Sequence, residues 1–177
     1  MCIRDRNRLM KGYGVKMSVT IRKFEDKDIE EMIHIWNSVV SSGNAFPQME
    51  GLTVNNATEF FNSQSFCGVA EINGEIVGLY ILHPNNIGRC GHIANSSYAV
   101  KLSCRGKSIG KELVTHSLKI AKELGFRILQ FNAVVKSNTC AIHLYEKLGF
   151  IKIGVVEKGF LNKDNIYEDI VLYYYKL

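Results

Sequence analysis

A short basic loop in the middle of the chain carries the residue types that bind phosphate. The segment 105–110 reads Arg-Gly-Lys-Ser-Ile-Gly and separates a strand-like apolar run from a helix-like amphipathic run. Gly106 and Gly110 lack Cβ atoms, so the backbone there can approach a ligand closely. The first N–H groups of the following helix lack intrahelical partners and lie at the positive end of the helix dipole. Together with the cations and the hydroxyl of the loop, they predict an anion site suited to a pyrophosphate.

The spacing within this loop excludes two common nucleotide-binding motifs. The loop does not match the phosphate-binding pattern G-x-x-x-x-G-K-[ST]. It does not match G-x-G-x-x-G either, and no acidic residue follows at the spacing of a dinucleotide-binding fold. Taken alone, the six residues fit an ordinary basic loop that caps a helix as well as they fit a phosphate site.

Tyr145 carries the second group that could take part in chemistry. It follows Asn138 by seven residues in a helix-like segment that ends in Gly149 and Phe150. A phenol, with a pKa near ~10, is protonated at neutral pH and can act as a general acid. Tyr145 also lies on the apolar stripe of its predicted helix, so a purely structural role in the core is the alternative.

Hydrophobic periodicity predicts the elements that must position these residues. Strands are predicted at 19–24, 66–72, 75–82, 92–102, 127–135, 150–157 and 166–175, and helices at 26–40, 53–62, 110–124 and from residue 138 or 139 to 149. Asn73 and Gly74 predict a tight hairpin between the second and third strands, because both residues tolerate positive φ. The order βααβββαβαββ, with a βαβ unit at its centre, predicts an α/β (α+β) domain with a mixed sheet and helices on both faces.

Taken together, the two motifs resemble those of the GNAT superfamily of N-acetyltransferases. Segment 100–113 is similar to the family's acetyl-CoA motif, in which a valine ends a strand and Arg/Gln-x-x-Gly-x-Gly/Ala opens a helix. Segment 138–150 is similar to the second motif, in which an asparagine starts a helix, a tyrosine follows seven residues later and Gly-Phe ends it. The resemblance extends from about Met17 to the C-terminus. It implies the GNAT fold, a central mixed and partly splayed sheet of about seven strands flanked by about four helices.

The resemblance implies acetyl-CoA as cosubstrate, with an amine attacking the thioester carbonyl directly. The implied cofactor-binding residues are Tyr98, Val100, Arg105, Gly106, Lys107, Ser108, Ile109, Gly110 and Asn138. Backbone groups of Tyr98 and Val100 would hydrogen-bond pantetheine, and Tyr145 would be the catalytic residue that protonates the departing thiolate. The family usually has glycine where this chain has Ser108, whose Cβ we expect to crowd the pyrophosphate. The resulting change in coenzyme A affinity is left open by the sequence.

Weaker resemblances concern the acceptor. The stretch 159–169 resembles the Gly-Phe…Asp ending of phosphinothricin-type acetyltransferases, which act on small amino-acid-like amines. Those enzymes usually carry a glutamate about where this chain has Asn95. With Asn132 on the adjoining strand, Asn95 resembles instead the fungal enzymes that act on azetidine-2-carboxylate and proline analogues, where asparagine amides hold the substrate. The alternative is that Asn95 and Asn132 only satisfy backbone groups near the splayed strands.

No residue of the sequence identifies itself as the base that would deprotonate the amine. His92 fits a structural or surface position, and His116 and His143 are expected on exposed helix faces. We therefore expect water, relayed through the polar segment 95–97, to take the proton.

The charge distribution argues against a nucleic-acid partner. The chain of 177 residues has a net charge of +5. Residues 1–16 carry five basic residues against Asp5, or +4, which leaves about +1 for the rest. We expect residues 1–16 to be a non-native or disordered extension, with translation starting at Met17, and residues 17–177 to form a single N-acetyltransferase domain.

Cysteine usage and hydropathy argue against a metal-binding, a disulfide-stabilised or a membrane-spanning protein. The five cysteines are odd in number and form no C-x-x-C pair, so neither a zinc site nor a disulfide framework is predicted. Cys67 and Cys140 have apolar neighbours and are predicted to be small core residues. We expect a cytoplasmic protein without a metal. No apolar run approaches the ~20 residues that a membrane-spanning helix requires.

The sequence therefore predicts an acetyl-CoA-dependent N-acetyltransferase acting on the amine of a small amino-acid-like substrate in a ternary complex. The alternatives are a protein N-terminal or lysine acetyltransferase and a non-catalytic acetyl-CoA-binding module. The resemblance also implies a homodimer, in which the strands at 151–156 and 166–175 would pair across subunits.

Overall fold

The computed structural model describes residues 18–177, so the predicted extension at 1–16 and the predicted start at Met17 lie outside the described residues. The strands are β1 (Thr20–Lys23), β2 (Phe66–Ile72), β3 (Glu75–Pro84), β4 (Ile93–Val100), β5 (Ile128–Val135), β6 (Ile151–Leu161) and β7 (Tyr167–Lys176). The helices are α1 (Ile29–Ser42), α2 (Val54–Asn62), α3 (Ile109–Glu123) and α4 (Thr139–Lys147). None of the helices within this range is long and apolar enough to cross a membrane.

The seven strands form one mixed sheet in the order β1-β2-β3-β4-β5-β7-β6. The pair β4–β5 is parallel, and the five other pairs are antiparallel. Asn73 and Gly74 both have positive φ, at 52° and 83°, and they close the β2–β3 hairpin as predicted. The predicted fold class, a mixed sheet with helices on both faces, is therefore confirmed.

Alternating side chains of the sheet contribute to two separate cores. Leu79 and Ile81 of β3 pack on one face with α1 and α2. Tyr80 and Leu82 of the same strand pack on the other face with α3 and α4. Because successive strand residues point to opposite faces, the face of any residue in β3 or β4 follows from its register.

The position of β7 contradicts one expectation about assembly. β7 lies between β5 and β6 and pairs with both, so neither of its edges can pair with another subunit. The prediction that the strand at 166–175 would pair across subunits is therefore wrong. β6 is the edge strand on this side of the sheet, and its free edge remains available.

The sheet is splayed at its centre. β4 and β5 are paired only at Ile93 with Ile128 and at Ala94 with Leu129. Further along, β5 has an irregular register between Phe131 and Val134, where its pairing with β7 shifts. Such an irregularity bends a strand, and here it accompanies the separation of β5 from β4. The predicted partial splay of the sheet is thus present in the parallel pair.

Candidate active site

A cleft of about 730 Å³ passes through the gap between β4 and β5. From the α1–α2 face it is lined by Phe46, Pro47, Phe60, Gln64, His83 and Asn95. From the α3–α4 face it is lined by Tyr98, Gly110, Val114, Asn138, Leu144 and Tyr145. A volume of this size is typical of small-molecule sites. Two molecules could therefore enter from opposite faces of the sheet and meet in the gap.

The free side of β4 presents backbone groups to this cleft. Lys101 N donates to Val77 O at 2.9 Å, so the odd-numbered residues of β4 are bonded to β3. Because backbone groups alternate along an antiparallel strand, those of Ser96, Tyr98 and Val100 point towards β5. At these residues β5 has already diverged, so the N–H and C=O groups of Tyr98 and Val100 face the gap.

The basic loop lies at the N-terminus of α3, as its sequence predicts. Gly106 has φ of 78°, and the side chains of Arg105 and Lys107 are exposed. Ile109 is buried and is the first residue of the helix, and the hydroxyl of Ser108 makes no capping hydrogen bond. The unpaired N–H groups of the first turn therefore remain available to an anion.

Ser108 adopts a backbone conformation that favours glycine. Its φ and ψ are 62° and 8°, in the left-handed region. A side chain with a Cβ is strained there. The sequence reveals the departure from glycine, and the structure shows that the backbone has kept the conformation that a glycine would adopt.

Tyr145 lies on α4 at the centre of an aromatic cluster. Its ring centroid is 4.4 Å from that of Phe131 and 5.5 Å from that of Phe150. The hydroxyl makes no hydrogen bond to any residue between 18 and 177. Burial, and secondarily the Tyr98 phenol, raises the pKa of Tyr145 well above its usual value. The phenol is thus protonated at neutral pH, half-buried, and directed towards the cleft that it lines.

Asn138 starts α4 at the wall of the cleft. Its Oδ1 accepts a hydrogen bond from Ala141 N at 3.3 Å, so the residue is the N-cap of the helix, as predicted. The capping bond uses only the oxygen of the amide. Its two N–H groups remain free, within the described part of the chain, to contact a ligand.

Asn95 and Asn132 are brought together by Asn85, a residue that the sequence analysis did not identify. Asn85 Oδ1 accepts from Asn95 Nδ2 at 3.3 Å and from Asn132 Nδ2 at 2.5 Å. Asn132 Oδ1 also accepts from Gln130 Nε2 at 2.9 Å. These amides lie on the α1–α2 face, across the gap from Tyr145. The three amide side chains bond to one another. Neither the Asn95 nor the Asn132 side chain bonds to a backbone group, so the alternative that they only satisfy backbone groups does not hold in this structure.

Among the residues that line the cleft in the described chain, none is Asp, Glu, Lys or Arg. His83 is the one imidazole among them, and it too was missed by the sequence analysis, because the predicted third strand ends at residue 82. The register places His83 opposite Asn95 on the neighbouring strand.

Of the other expectations about single residues, some are confirmed and some are wrong. His116 is half-buried, and its Nδ1 lies 2.9 Å from the Tyr80 hydroxyl, so the prediction of an exposed position is wrong. His143 is exposed, as predicted, and Cys67 is a buried core residue. Cys140 is exposed in the first turn of α4, ahead of the residues that pack, so its predicted core position is wrong. Within residues 18–177 no cluster of side chains suited to a metal ion occurs.

Comparison with known proteins decides the family. The profile of the acetyltransferase (GNAT) family matches residues 29–150, a span that contains α1, the splayed strands, the basic loop and α4. The chain belongs to the GNAT acetyltransferase family. GNAT enzymes use acetyl-CoA, so the chain is an acetyl-CoA-dependent acyltransferase of the N-acetyltransferase type.

Individual GNAT proteins are similar over most of this chain. The N-acetyltransferase aca1 of Schizosaccharomyces pombe is 28% identical, over 92% of this chain and 86% of its own length. YwnH of Bacillus subtilis, a "Putative phosphinothricin acetyltransferase", is 30% identical over 77% of this chain and 86% of its own. The structure of a GCN5-related N-acetyltransferase from Kribbella flavida has a TM-score of 0.83 and 30% identity, covering 90% of this chain and 98% of that one.

The α3–α4 half of the cleft fits the acetyl-CoA that GNAT enzymes require. Backbone groups of Tyr98 and Val100 stand unpaired by β5, and the loop before α3 combines free helix N–H groups with two cations. The 3-10 turn Leu102–Cys104 joins these two features, so they lie on one continuous path from the gap to the surface. The assignment of individual residues to the cofactor stays a prediction.

Proposed function

We propose that this chain acetylates the amine of a small amino-acid-like substrate, by direct attack within a ternary complex. The observation that carries the proposal is the amide cluster of Asn85, Asn95 and Asn132 at the α1–α2 end of an uncharged cleft. A donor molecule on one face of the sheet and an acceptor on the other would meet at the splay.

The amide cluster suits a carboxylate. Two Nδ2 groups, from Asn95 and Asn132, converge on the single Oδ1 of Asn85. A carboxylate oxygen accepts two such N–H bonds, and in a complex it would take the place that Asn85 Oδ1 holds here. Asn85 would then act as the internal partner that keeps both amides oriented when no substrate is bound.

The absence of charged side chains from the described cleft lining also favours an amino acid over a cationic acceptor. A zwitterion carries no net charge, so it requires no carboxylate in the site to offset its ammonium group. A lysine side chain or polyamine would bring uncompensated positive charge into a half-buried cleft, which is costly. The aromatic walls formed by Phe46 and Phe60 limit the acceptor further to a small apolar body.

On the donor side, we assign acetyl-CoA to the gap and the basic loop. Bound acetyl-CoA supplies a thioester carbonyl that is open to attack by an amine. Tyr98 and Val100 would hold the pantetheine through backbone bonds, segment 105–110 would hold the pyrophosphate, and Asn138 would contact the cofactor near the start of α4. The Tyr145 Oη, which burial keeps protonated at neutral pH, would donate its proton to the departing sulfur.

A matched pair of acceptors tests the carboxylate assignment. Thiol release should be faster with L-proline and L-methionine than with their primary amides, which lack the carboxylate. Asn132→Ala should raise KM for the free amino acid about tenfold, the worth of one charge-assisted hydrogen bond, and leave acetyl-CoA affinity unchanged. Asn86→Ala, at the exposed neighbour of Asn85, is the control. Equal rates for acid and amide, in wild type and Asn132→Ala alike, would remove the amides from substrate binding.

A further inference from the structure

His83 lies beside the amide cluster, on the face from which the acceptor would enter. It is the penultimate residue of β3 and pairs with Asn95 of β4. Paired residues of adjacent strands share a face of the sheet, so both side chains lie on the α1–α2 face. His83 lines the cleft and is half-buried.

The hydrogen bond of His83 fixes which ring nitrogen is basic. Its Nδ1 lies 2.9 Å from the carbonyl oxygen of Pro84. A carbonyl oxygen can only accept, so Nδ1 carries the proton and donates it. In the neutral ring Nε2 then keeps a free lone pair. No residue within 18–177 bonds to Nε2, which leaves it available to a proton donor in the cleft.

The other groups that line the cleft cannot take this role. Tyr98 and Tyr145 are the remaining titratable residues of the described lining. Burial raises the pKa of Tyr98 to about 12 and that of Tyr145 higher still, so both are protonated near neutral pH. The polar groups contributed by the α1–α2 loop, the segment after α2, β4, β5 and the start of α4 are all uncharged: Gln48, Ser63, Gln64, Asn95, Ser97, Asn132 and Asn138.

We propose that His83 is the general base of this acetyltransferase, accepting a proton from the acceptor ammonium at Nε2. The inference rests on the proposed function, since it requires an amine acceptor on the α1–α2 face. It replaces the water relay expected from the sequence with a named side chain.

The proton count of the reaction is consistent with this role. The α-ammonium group of a free amino acid is protonated at neutral pH and must lose a proton before its nitrogen can attack. As the N–C bond forms and the C–S bond breaks, the nitrogen loses two protons in all, and the departing sulfur gains one by way of Tyr145. One proton per turnover therefore passes from Nε2 to solvent at the open edge of the cleft.

The substitution His83→Asn separates the base from the hydrogen bond. An asparagine amide can still donate to Pro84 O, but it has nothing in place of Nε2. With the fastest acceptor among glycine, L-proline, L-alanine and L-methionine, we expect kcat to fall at least about 100-fold. KM for the amino acid and the acetyl-CoA-induced rise in melting temperature should change little. The acidic limb of the kcat/KM–pH profile should move up to the pKa of the acceptor's own ammonium group, and added imidazole should restore part of the rate in His83→Ala.

The control is His92→Asn, at an exposed histidine that does not line the cleft; its rate and pH profile should match those of wild type. The melting temperature with and without acetyl-CoA shows whether each variant is folded, and His83→Gln serves if His83→Asn is not. A kcat for these variants within threefold of wild type, with the acidic limb at the same pH as in wild type, overturns the base while leaving the proposed function intact. No transfer to any amino acid by the wild-type protein overturns both.

Discussion

At the scale of single residues, the two side chains proposed to move protons are Tyr145 and His83, and both line the cleft. Tyr145 is kept protonated by burial, and the bond of His83 Nδ1 to the Pro84 carbonyl leaves Nε2 without a hydrogen bond to the described residues. The two side chains lie on opposite faces of the sheet, across the gap where the strands part. In the proposed roles of acid and base, they would act on the leaving group and on the nucleophile without neutralising one another.

Tyr145→Phe removes the proposed acid with little change in packing, because the ring and its contact with Phe131 remain. We expect kcat to fall about 100-fold, within the range of general-acid effects, while acetyl-CoA binding measured by calorimetry is unchanged. Tyr167→Phe is the matched control, since that tyrosine is 63% exposed and does not line the cleft. Unchanged turnover in Tyr145→Phe would exclude the phenol from the mechanism.

Ser108→Gly should stabilise the protein. The left-handed conformation at residue 108 costs a serine about 1 kcal/mol relative to glycine. For a domain of this size, that corresponds to a rise of about 2–4 °C in melting temperature. Ser103→Gly, at an exposed serine of the preceding 3-10 turn with ordinary φ, should give no rise. A melting temperature for Ser108→Gly at or below that of wild type would show that the strain is absent.

Site residues that belong to one local motif could be predicted from the sequence. Site residues that come together only through strand pairing could not. Asn138 caps α4 where its spacing from Tyr145 predicts, because both belong to one continuous helix. Asn85 was missed because it lies 47 positions from Asn132 in the sequence. His83 was missed because only the folded sheet places it opposite Asn95. The sequence carries no local signal for such a pairing.

At the scale of elements, the hydrophobic pattern predicts where the strands and helices lie in the chain. It does not predict which strands are neighbours in the sheet. The observed helix α3 starts one residue before its predicted start, and β6 extends four residues beyond its predicted end at 157. The sequence could not show that β7 returns between β5 and β6, since strand order depends on how the chain crosses over the sheet. That crossover decides which strand is left at the edge.

The edge strand β6 carries an apolar surface that we propose is covered by a second copy of the chain. Ile151, Ile153, Val155 and Val156 are 48%, 53%, 42% and 48% exposed, along a strand of 11 residues. An unpaired apolar edge invites pairing with another chain. Light scattering should give a mass near twice that of the 20.0 kDa chain, and the double variant Ile153→Lys and Val155→Lys should be monomeric.

A matched control for this dimer is Val54→Lys, at a valine that is 75% exposed on α2, far along the chain from the edge strand. It should leave the mass of the assembly unchanged. A wild-type protein that stays monomeric at high concentration would contradict the proposal.

At the scale of the whole molecule, an ion-pair cluster links β1 to the start of α1 and to β2. Arg22 donates to both carboxylate oxygens of the buried Asp28, at 2.6 and 2.9 Å, and also to Glu71. The hydrogen bond from Arg22 lowers the pKa of Asp28 below its ordinary value. A lowered folded-state pKa stabilises the fold above the unfolded-state pKa and loses that effect as pH falls through the folded-state value.

Asp28→Asn should therefore lower the free energy of unfolding at pH 7 by about 2 kcal/mol, the worth of hydrogen bonds to a charged group. The difference from wild type should shrink as pH falls below about 4. Urea denaturation at several pH values measures both. Asp26→Asn, at an exposed aspartate of the same turn, should have little effect at any pH. A deficit for Asp28→Asn that stays constant down to pH 3 would contradict the coupling.

The activity proposed for this chain is the transfer of acetyl groups from acetyl-CoA to a small amino acid. The most direct measurement is acetyl-CoA-dependent thiol release, with product masses, across one panel of free amino acids, polyamines and peptides with free N-termini or lysines. We predict turnover with one or more small apolar amino acids, giving the N-acetyl amino acid, at a kcat/KM at least tenfold above that for any peptide or polyamine. Turnover confined to peptides or polyamines, or acetyl-CoA binding without transfer to any amine, would contradict this proposed activity.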